Sequence, residues 1–535
     1  MSVSVALHAQ QTRYYDAAKL NVIGKAIPTS KDYTRIDTAA YKFNDEVIDE
    51  YACHSTGLAV LFATDSPFIR AKWVTSPKNA AENMTAIANY CVDFAEKHAL
   101  KVIKDEANNV IIYKSASTGY ENTEPVILQG HLDMVCQKDE STEIDFMKDG
   151  LELFVDGDFV KAKGTTLGAD NGIAVAMILA ILESDTIPHP PIEAVFTTDE
   201  EIGMVGALAL DMSLLKGKRM INLDAEEDDT LTVSCAGGSD FRMIVPLKRK
   251  TVRGSKVIIT LKGLLGGHSG VEIDKNRVNA DILAGRFLNY MKSVCEFEII
   301  SIDGGDKGNA IPNNCTINLC VGEPKKFTNH AENYLGIIKK EIADREPDFI
   351  DNIGVCEESE YDVIESEIKD KLIFTLLCVP DGIAQMSAEI KGLVESSSNL
   401  GILKTEEDKI ILHFTLRSNK KSALQFLEDR LSAFSSCIHC ETECSGHYPP
   451  WEFKENSDLQ KLFRECYREQ YGSEPKVEAI HAGLECGVFS SGIEGLDCVA
   501  MGPQLFDVHT VKERLSISSL ENTFKLLLEI LKRMK

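Results

Sequence analysis

Short apolar segments alternate with helix-like segments between residues 125 and 223. The apolar runs at 125–129, 193–197 and 219–223 are typical of strands, and 173–182 has the composition of an apolar helix. Strands that alternate with helices form a largely parallel sheet with helices on both faces. The sequence therefore predicts an α/β domain in this region, preceded by a helix near 79–100.

The length of the chain, 535 residues, predicts more than one domain, because single hydrophobic cores stop growing near about 250–300 residues. After Gly237 the pattern changes to strand, helix, strand, strand, helix, and a similar order recurs between about 372 and 444. This repetition indicates an inserted lid of two related α+β halves. The predicted domains are a short N-terminal β segment (1–75), a first α/β part (76–236), the lid (237–445) and a second α/β part (446–535).

Charge and cysteine content narrow the possible partners and the location. The formal net charge of −26 repels phosphate backbones and anionic lipid surfaces, so neither nucleic acid nor membrane is an expected partner. No apolar run reaches the ~18 residues that span a bilayer. Fifteen irregularly spaced cysteines favour reduced thiols over a disulfide framework. A cytoplasmic protein is the expectation.

Five polar clusters stand where predicted strands end or helices begin, which is where open α/β sheets bind their ligands. Each cluster taken alone has an ordinary explanation, such as a turn or a helix cap. Together they supply imidazoles and carboxylates that suit zinc, cobalt or manganese. The residues concerned are His131 and Asp133, Asp170, Glu200 and Glu201, Asp224, and His509.

The motifs GHLDMV, LGADNGIA, TTDEEIGMVGA and INLDAEE, in this order, resemble the co-catalytic metallopeptidases that include aminoacylases, carnosinases and peptidase D. They are most similar to the aminoacylhistidine dipeptidase (Xaa-His dipeptidase, peptidase D) branch. The resemblance runs from about Asn79 to the C-terminus. It implies a zinc-peptidase-like catalytic domain that uses two divalent ions, zinc or else cobalt or manganese, to hydrolyse dipeptides of the Xaa-His type.

The resemblance also implies a role for each matched residue. Asp170 would bridge both ions, Glu200 would act as general base, and Asp133 would accept the second ring N–H of His131. Two divalent ions, three ligand carboxylates and a bridging hydroxide would sum to zero charge. The implied metal ligands are His131, Asp170, Glu201, Asp224 and His509.

Three residues of the lid resemble substrate-binding positions of the same group. His268, in GGHSG, matches an imidazole that stabilises the oxyanion. Asn309, in GNAIP, and Arg417, in LRS, match positions that bind the terminal carboxylate, a task suited to the planar guanidinium fork. The motif around His481 and Glu485 also resembles the family, but no role follows for it from the sequence.

Other functions are compatible with the same sequence. The fold would serve an aminoacylase or another amidohydrolase, and residues 21–73 resemble the β-sandwich that precedes SGNH-type esterases, although no esterase serine motif follows. An inactive, carbohydrate-associated binding protein is a further alternative, which the presence of Glu200 disfavours. After His509, the residues Thr510 to Lys512 stand where relatives usually place Ser and Pro, which puts the loop shape in doubt. His509 and the acidic Glu513 are retained, so metal ligation is still expected. A homodimer is compatible with a doubled lid.

A second metal site is conceivable near Cys437, Cys440 and Cys444, with His439 and His447, because these residues superficially resemble a zinc knuckle. Regular strand alternation would place Cys437 on the opposite face from Cys440 and Cys444. Tetrahedral ligation by all three thiolates is therefore disfavoured.

Overall fold

The computed structural model describes residues 2–3, 71–72, 76–77, 81–146 and 149–535. Among them, the first compact unit comprises the residues up to Val233 together with Lys454–Glu478 and Leu484–Lys535, and the second comprises Ser234–Phe453 with Ala479–Gly483. The predicted N-terminal β segment lies almost wholly outside the described residues. The predicted domain limits at 236/237 and 445/446 stay a prediction.

The helices and strands fall into three stretches of the chain. The first contains β1 Ser2–Val3, β2 Ala71–Lys72, β3 Ser76–Pro77, α1 Ala81–Lys97, β4 Lys101–Lys104, β5 Val110–Lys114, β6 Val126–His131, β7 Asp133–Met134, β8 Leu153–Asp156, β9 Phe159–Ala162, α2 Ala169–Glu183, β10 Ile192–Thr197, α3 Val205–Ala209, β11 Arg219–Asn222 and β12 Thr230–Cys235. The second contains β13 Gly237–Pro246, β14 Arg249–Lys262, β15 Gly267–His268, α4 Ala280–Val294, β16 Glu298–Gly304, β17 Ala310–Ile311, β18 Cys315–Val321, α5 Pro324–Ile342, β19 Ile350–Ile364, α6 Ser366–Cys378, β20 Gly382–Met386, β21 Val394–Thr405, β22 Lys409–Ser418, α7 Lys421–Ile438 and β23 Glu441–Tyr448. The last contains α8 Asp458–Tyr471, β24 Lys476–Ile480, α9 Glu485–Gly492, β25 Asp497–Ala500, β26 Leu505–Phe506, β27 Arg514–Ser516 and α10 Ile517–Arg533.

The first unit is built on an eight-stranded sheet of order β24-β12-β25-β11-β6-β10-β5-β4. Its central strands β25, β11, β6 and β10 are parallel, and β5 and β4 continue the sheet antiparallel. Every residue of β6 and β10 is buried. The apolar helix α2 is buried along nearly its whole length. Strands and helices buried in this way are what parallel sheets covered on both faces require.

The second unit contains a nine-stranded antiparallel sheet in which β13 lies between β22 and β23. Helices α4 to α7 supply the apolar side chains that cover this sheet, and together they form one continuous core. Phe287 of α4, Phe327 of α5 and Phe414 of β22 are fully buried members of this core. β23 ends the sheet, so one of its edges has no strand beside it in the described residues.

The last helix, α10, begins at Ile517, and the hydroxyl of Ser516 accepts the N–H of Ser519. Cys437, which the alternation argument considered as part of a strand, lies in the last turn of α7, because apolar residues at helical spacing cover the sheet up to Ile438. In the described part of the chain no two cysteines form a disulfide, and none of its helices combines the length and apolar character needed to cross a bilayer.

Candidate active site

The polar clusters of the first unit meet because their strands end together. In the parallel pair of β6 and β10, His131 lies opposite Thr197, and in the pair of β6 and β11, Gln129 lies opposite Asn222. The residues that follow these strands therefore emerge at one carboxyl edge of the sheet. Asp170 reaches the same edge from the first turn of α2, and His509 from the loop between β26 and β27.

Asp170 lies between two imidazoles. Its Oδ1 is 3.1 Å from Nε2 of His131, and its Oδ2 is 2.9 Å from Nε2 of His509. Asp224 Oδ1 lies 3.4 Å from the same nitrogen of His131, and Glu201 Oε1 lies 2.9 Å from that of His509. The carboxylate of Asp170 is thus shared by two groups of potential metal ligands.

The carboxylates of this cluster raise the pKa values of its two histidines. Burial opposes protonation of His131, but Asp224, Asp133 and Asp170 outweigh burial and hold its pKa well above the usual range. Burial likewise opposes protonation of His509, yet the nearby carboxylates of Asp170 and Glu201 raise its pKa to about 11. In both cases a positive charge next to the carboxylates is strongly favoured.

The residues fit divalent metal ions. Oε1 of Glu201 is buried and, within the described chain, has no hydrogen-bond partner of suitable geometry, although His509 Nε2 is close. Burial, partly offset by His131, raises the pKa of Asp224 to about 6. Imidazole nitrogens and carboxylate oxygens are the donor set of catalytic zinc sites. A divalent cation between these groups would balance the negative charge of the carboxylates. Without a cation, only protons bound to the histidines and carboxylates balance that charge.

Glu200 differs from its neighbours in its high proton affinity. It lies on the loop after β10, and its carboxylate is within 4.8 Å of ligand atoms of His131 and Glu201. Burial, together with Asp224, Glu485 and Glu201, raises its pKa well above the usual range despite the nearby His131. A carboxylate with a raised pKa at the edge of the cluster has the properties of a general base.

Asp133 makes further contacts besides the one with His131 that was predicted from sequence. Nδ1 of His131 lies 3.0 Å from the backbone carbonyl of Asp133 and 3.5 Å from its carboxylate. The two carboxylate oxygens accept the backbone N–H groups of Glu200 and Glu201, at 3.1 and 3.0 Å. Burial opposes ionisation of Asp133, but these bonds and His131 keep its pKa below the usual range.

Glu513 is a supporting residue to which the sequence assigned no role. It is buried, and its carboxylate accepts the backbone N–H groups of Leu167, Gly168 and Ala169 at 2.7, 3.0 and 2.8 Å. These contacts fix the chain where it enters α2, directly before Asp170. The only signal in the sequence was the retained acidic residue four positions after His509.

Glu485 is a second residue without an assigned role, and it lies beneath the cluster. It is fully buried at the start of α9, and its Oε2 accepts hydrogen bonds from the Gln129 amide and, at 2.7 Å, from the Thr197 hydroxyl. Burial raises its pKa to about 8. Glu485 therefore ties β6 and β10 together just before their polar ends.

In the second unit, the structure brings His268 and Arg417 together. Nη2 of Arg417 lies 3.5 Å from Nε2 of His268, and Nη1 donates to the Tyr448 hydroxyl at 2.9 Å. Tyr448 and Arg417 both lie opposite Gly238, where a Cβ atom would come within 2.5 Å of the Tyr448 hydroxyl. Glycine at this position is what allows the two side chains to meet.

The hydrogen bonds of His268 identify its tautomer. Its Nδ1 accepts the backbone N–H groups of Gly270 and Val271, so Nε2 carries the proton of the neutral ring. Burial and the charge of Arg417 lower the pKa of His268 to about 4. Nε2–H and the guanidinium are then neighbouring donors, and Nε of Arg417 is buried without a partner among the described residues. Such donors suit an anionic oxygen.

Asn309 lies beside this group but is less enclosed. β15 and β17 pair with His268 opposite Ala310, and the Asn309 carbonyl accepts the N–H of Ser269 at 2.9 Å. His268 and Asn309 both line a cavity of about 390 Å³. The Asn309 side chain itself is exposed.

Comparison with known proteins agrees with this geometry. The cytosol non-specific dipeptidase of Escherichia coli (strain K12) is 36% identical over 453 residues, which cover 83% of this chain and 93% of the relative. The crystal structure of aminoacylhistidine dipeptidase from Vibrio alginolyticus matches with 35% identity and a TM-score of 0.77, over 85% of this chain and 93% of that chain. These matches confirm the predicted fold class.

Two family models match the sequence. Residues 12–120 match the model described as the N-terminus of SGNH hydrolase-type esterases, in agreement with the resemblance of 21–73. Residues 127–533, more than half of the chain, match the model of peptidase family M20/M25/M40, whose members use divalent metals. The chain belongs to peptidase family M20/M25/M40.

Proposed function

We propose that this protein is a dipeptidase that uses two divalent metal ions, with Glu200 as general base. Zinc is the proposed metal. The observation that carries the proposal is the position of Asp170, whose two oxygens face His131 and His509 separately. Asp224 would complete the ligands on the His131 side, and Glu201 those on the His509 side. Cobalt and manganese suit the same donors.

The chain's own residues would perform the proton transfers. Bound divalent ions supply Lewis acidity, and they lower the pKa of water from 15.7 to about 7. Glu200 would accept the proton of the attacking water and pass it to the leaving amine, as a carboxylate of raised pKa can do near neutral pH. Asp133 would hold Glu200 in position through its backbone N–H.

The second unit would bind the substrate. We assign Arg417 and Asn309 to the terminal carboxylate of the dipeptide and His268 to the oxyanion. The adjacent donors of His268 and Arg417, with no acceptor between them, support this assignment. Donors that are fixed before the substrate binds stabilise developing negative charge without further reorganisation.

The preference for a C-terminal histidine rests on likeness to the Vibrio enzyme, whereas the Escherichia coli relative is named non-specific. Hydrolysis of Ala-His, β-Ala-His and Ala-Ala by metal-stripped protein, with and without zinc, cobalt or manganese, separates the two specificities. Cleavage of N-acetyl amino acids in place of dipeptides would favour an aminoacylase.

Glu200→Gln tests the mechanism. We expect kcat to fall by about 10²–10⁴-fold, because one general base contributes that much, while the bound metal content stays unchanged. Glu494→Gln, at an exposed position of the same unit, is the matched control. Full activity of Glu200→Gln would disprove the assigned base, and metal binding without any amide hydrolysis would favour an inactive binding protein.

We also propose a cytoplasmic location. The absence of disulfides among the described cysteines suits a reducing compartment, and the Escherichia coli relative is named a cytosol enzyme. A homodimer stays a prediction, which sedimentation of the purified protein would test.

A further inference from the structure

Three side chains that metals favour meet in the second unit, at the free edge of its sheet. They are Cys444 and His447 of β23 and Glu428 of α7, and their ligand atoms all lie within 4.8 Å of one another. Sγ of Cys444 is 3.4 Å from Nε2 of His447, which is 3.1 Å from Oε1 of Glu428. None of them belongs to the site around Asp170.

A β-bulge brings Cys444 and His447 to the same face. Residues three apart in a regular strand point to opposite faces. Here Ser445 pairs with Asp240 and Tyr448 with Gly238, so β23 has one more residue than β13 over this stretch. Gly446 takes a left-handed backbone with φ of 63° inside the bulge. The extra residue turns His447 toward α7, the face that Cys444 also occupies.

The three thiolates of the zinc-knuckle alternative do not come together in the structure. Of the residues in the zinc-knuckle alternative, Cys437 is exposed on α7 and His439 caps that helix in a left-handed conformation. Cys440 packs against the hydrophobic core. Only Cys444 and His447 remain, and the third group comes from Glu428, which no sequence motif indicated.

The spacings of His447 from Cys444 and from Glu428 agree with tetrahedral ligation. Zinc bonds of about 2.3 Å to sulfur and about 2.0–2.1 Å to nitrogen and oxygen place neighbouring ligand atoms roughly 3.4–3.6 Å apart. The observed separations of 3.4 and 3.1 Å need to change by only a few tenths of an ångström. The Ser239 hydroxyl donates to Glu428 Oε1 at 2.7 Å, which orients the carboxylate in the way that metal ligands are commonly supported.

We propose that Glu428, Cys444 and His447 form a second metal site, which binds a zinc-like divalent ion and leaves its fourth position open to solvent. The side chain of Glu428 is only 12% exposed, whereas that of His447 is 54% exposed, so an ion can enter from the outer edge of β23. Bound metal would join β23 to α7 where no further strand of the described chain secures the sheet.

Cobalt distinguishes this site from the one around Asp170. A thiolate ligand such as Cys444 gives a sulfur-to-cobalt charge-transfer band in the near ultraviolet. The ligands proposed around Asp170 contain no sulfur and give no such band. The full-length protein is stripped of metal and titrated with Co²⁺. We expect the band in the wild type and in Cys437→Ser, a control at an exposed cysteine of α7. It should be lost in Cys444→Ser and shifted to at least about tenfold higher Co²⁺ concentration in Ser239→Ala.

Circular dichroism and peptidase activity of each variant report whether it is folded. A wild type without the band would overturn the proposal, and so would a band that persists in Cys444→Ser or is lost instead in Cys440→Ser. Competition by Zn²⁺ that removes the band in the wild type supports it. None of these outcomes depends on the assignment of the peptidase residues.

Discussion

The backbone N–H of Glu200 donates to the carboxylate of Asp133 across 3.1 Å, and so connects β7 with the loop after β10. The adjacent oxygen of Asp133 accepts the N–H of Glu201. One buried carboxylate therefore sets the position of the proposed base and of a proposed metal ligand together. This explains how a loop can hold these two groups in a fixed arrangement.

We expect Asp133→Asn to lower kcat by about 10–100-fold, the usual cost of losing a residue that orients metal ligands. Asparagine has one acceptor oxygen, and its amide N–H would face the N–H of Glu200 or Glu201. Steady-state kinetics and metal content measure the effect. Asp185→Asn, at an exposed position of the same unit, should behave as wild type, and equal rates for both variants would show that the loop needs no such support.

Much of the candidate site could be predicted from sequence because it depends on strand ends. His131 is the last residue of a buried strand, Glu201 and Asp224 follow two others within a few residues, and parallel strands share one carboxyl edge. Glu513 could not be found in this way, since it contacts residues 344 to 346 positions earlier in the chain. Such contacts depend on the folded path, not on local pattern.

The cluster of Glu428, Cys444 and His447 could not be predicted from sequence either. Alternation is a good rule for regular strands, but one inserted residue reverses the face of every residue beyond it. Gly446 is a visible signal of that irregularity, although a glycine alone does not locate a bulge. Glu428 joins the cluster because α7 packs on the sheet. The sequence pattern predicts that a helix covers the sheet, but not which of its polar side chains lies beside Cys444 and His447.

We expect Glu513→Gln to weaken metal affinity by about 10–100-fold. In the wild type, several backbone N–H groups donate to the two carboxylate oxygens of Glu513. Glutamine keeps the size of the side chain but has only one acceptor oxygen. The segment that carries Asp170 would then lose its fixed position. Metal titration of stripped protein checks this, with Glu529→Gln on α10 as control. Unchanged affinity would mean that α2 positions Asp170 without Glu513.

Metal should stabilise the fold of the first unit. Asp170, Glu200, Glu201 and Asp224 converge at one edge of the sheet, and bound cations remove the repulsion among them. At about 100 times the dissociation constant, one site adds roughly 2.7 kcal/mol to the free energy of unfolding. Thermal unfolding with and without zinc should show a higher midpoint with metal. In Asp170→Asn the increase should shrink, and a full increase would place the stabilising ion elsewhere.

His481 makes the stability of the second unit depend on pH. It is buried, with Nε2 at 2.7 Å from the Ser397 hydroxyl and Nδ1 at 3.3 Å from Oδ1 of Asn419. Burial, with Arg417 and His268, lowers its pKa to about 3. An unfolded histidine titrates near about 6.5. Below that pH the unfolded state binds the proton and the folded state does not, so stability is complete above about pH 6.5 and is lost as the pH falls toward 3.

His481→Gln should therefore reduce the loss of stability in acid. Between pH 7 and pH 5 the wild type should lose about 2 kcal/mol more of its free energy of unfolding than the variant, since about 1.5 pH units lie below the unfolded pKa. Urea unfolding at several pH values, followed by circular dichroism, measures the difference. His330→Gln, on α5, should keep the wild-type pH dependence. If His481→Gln runs parallel to the wild type, a different buried group titrates in this range.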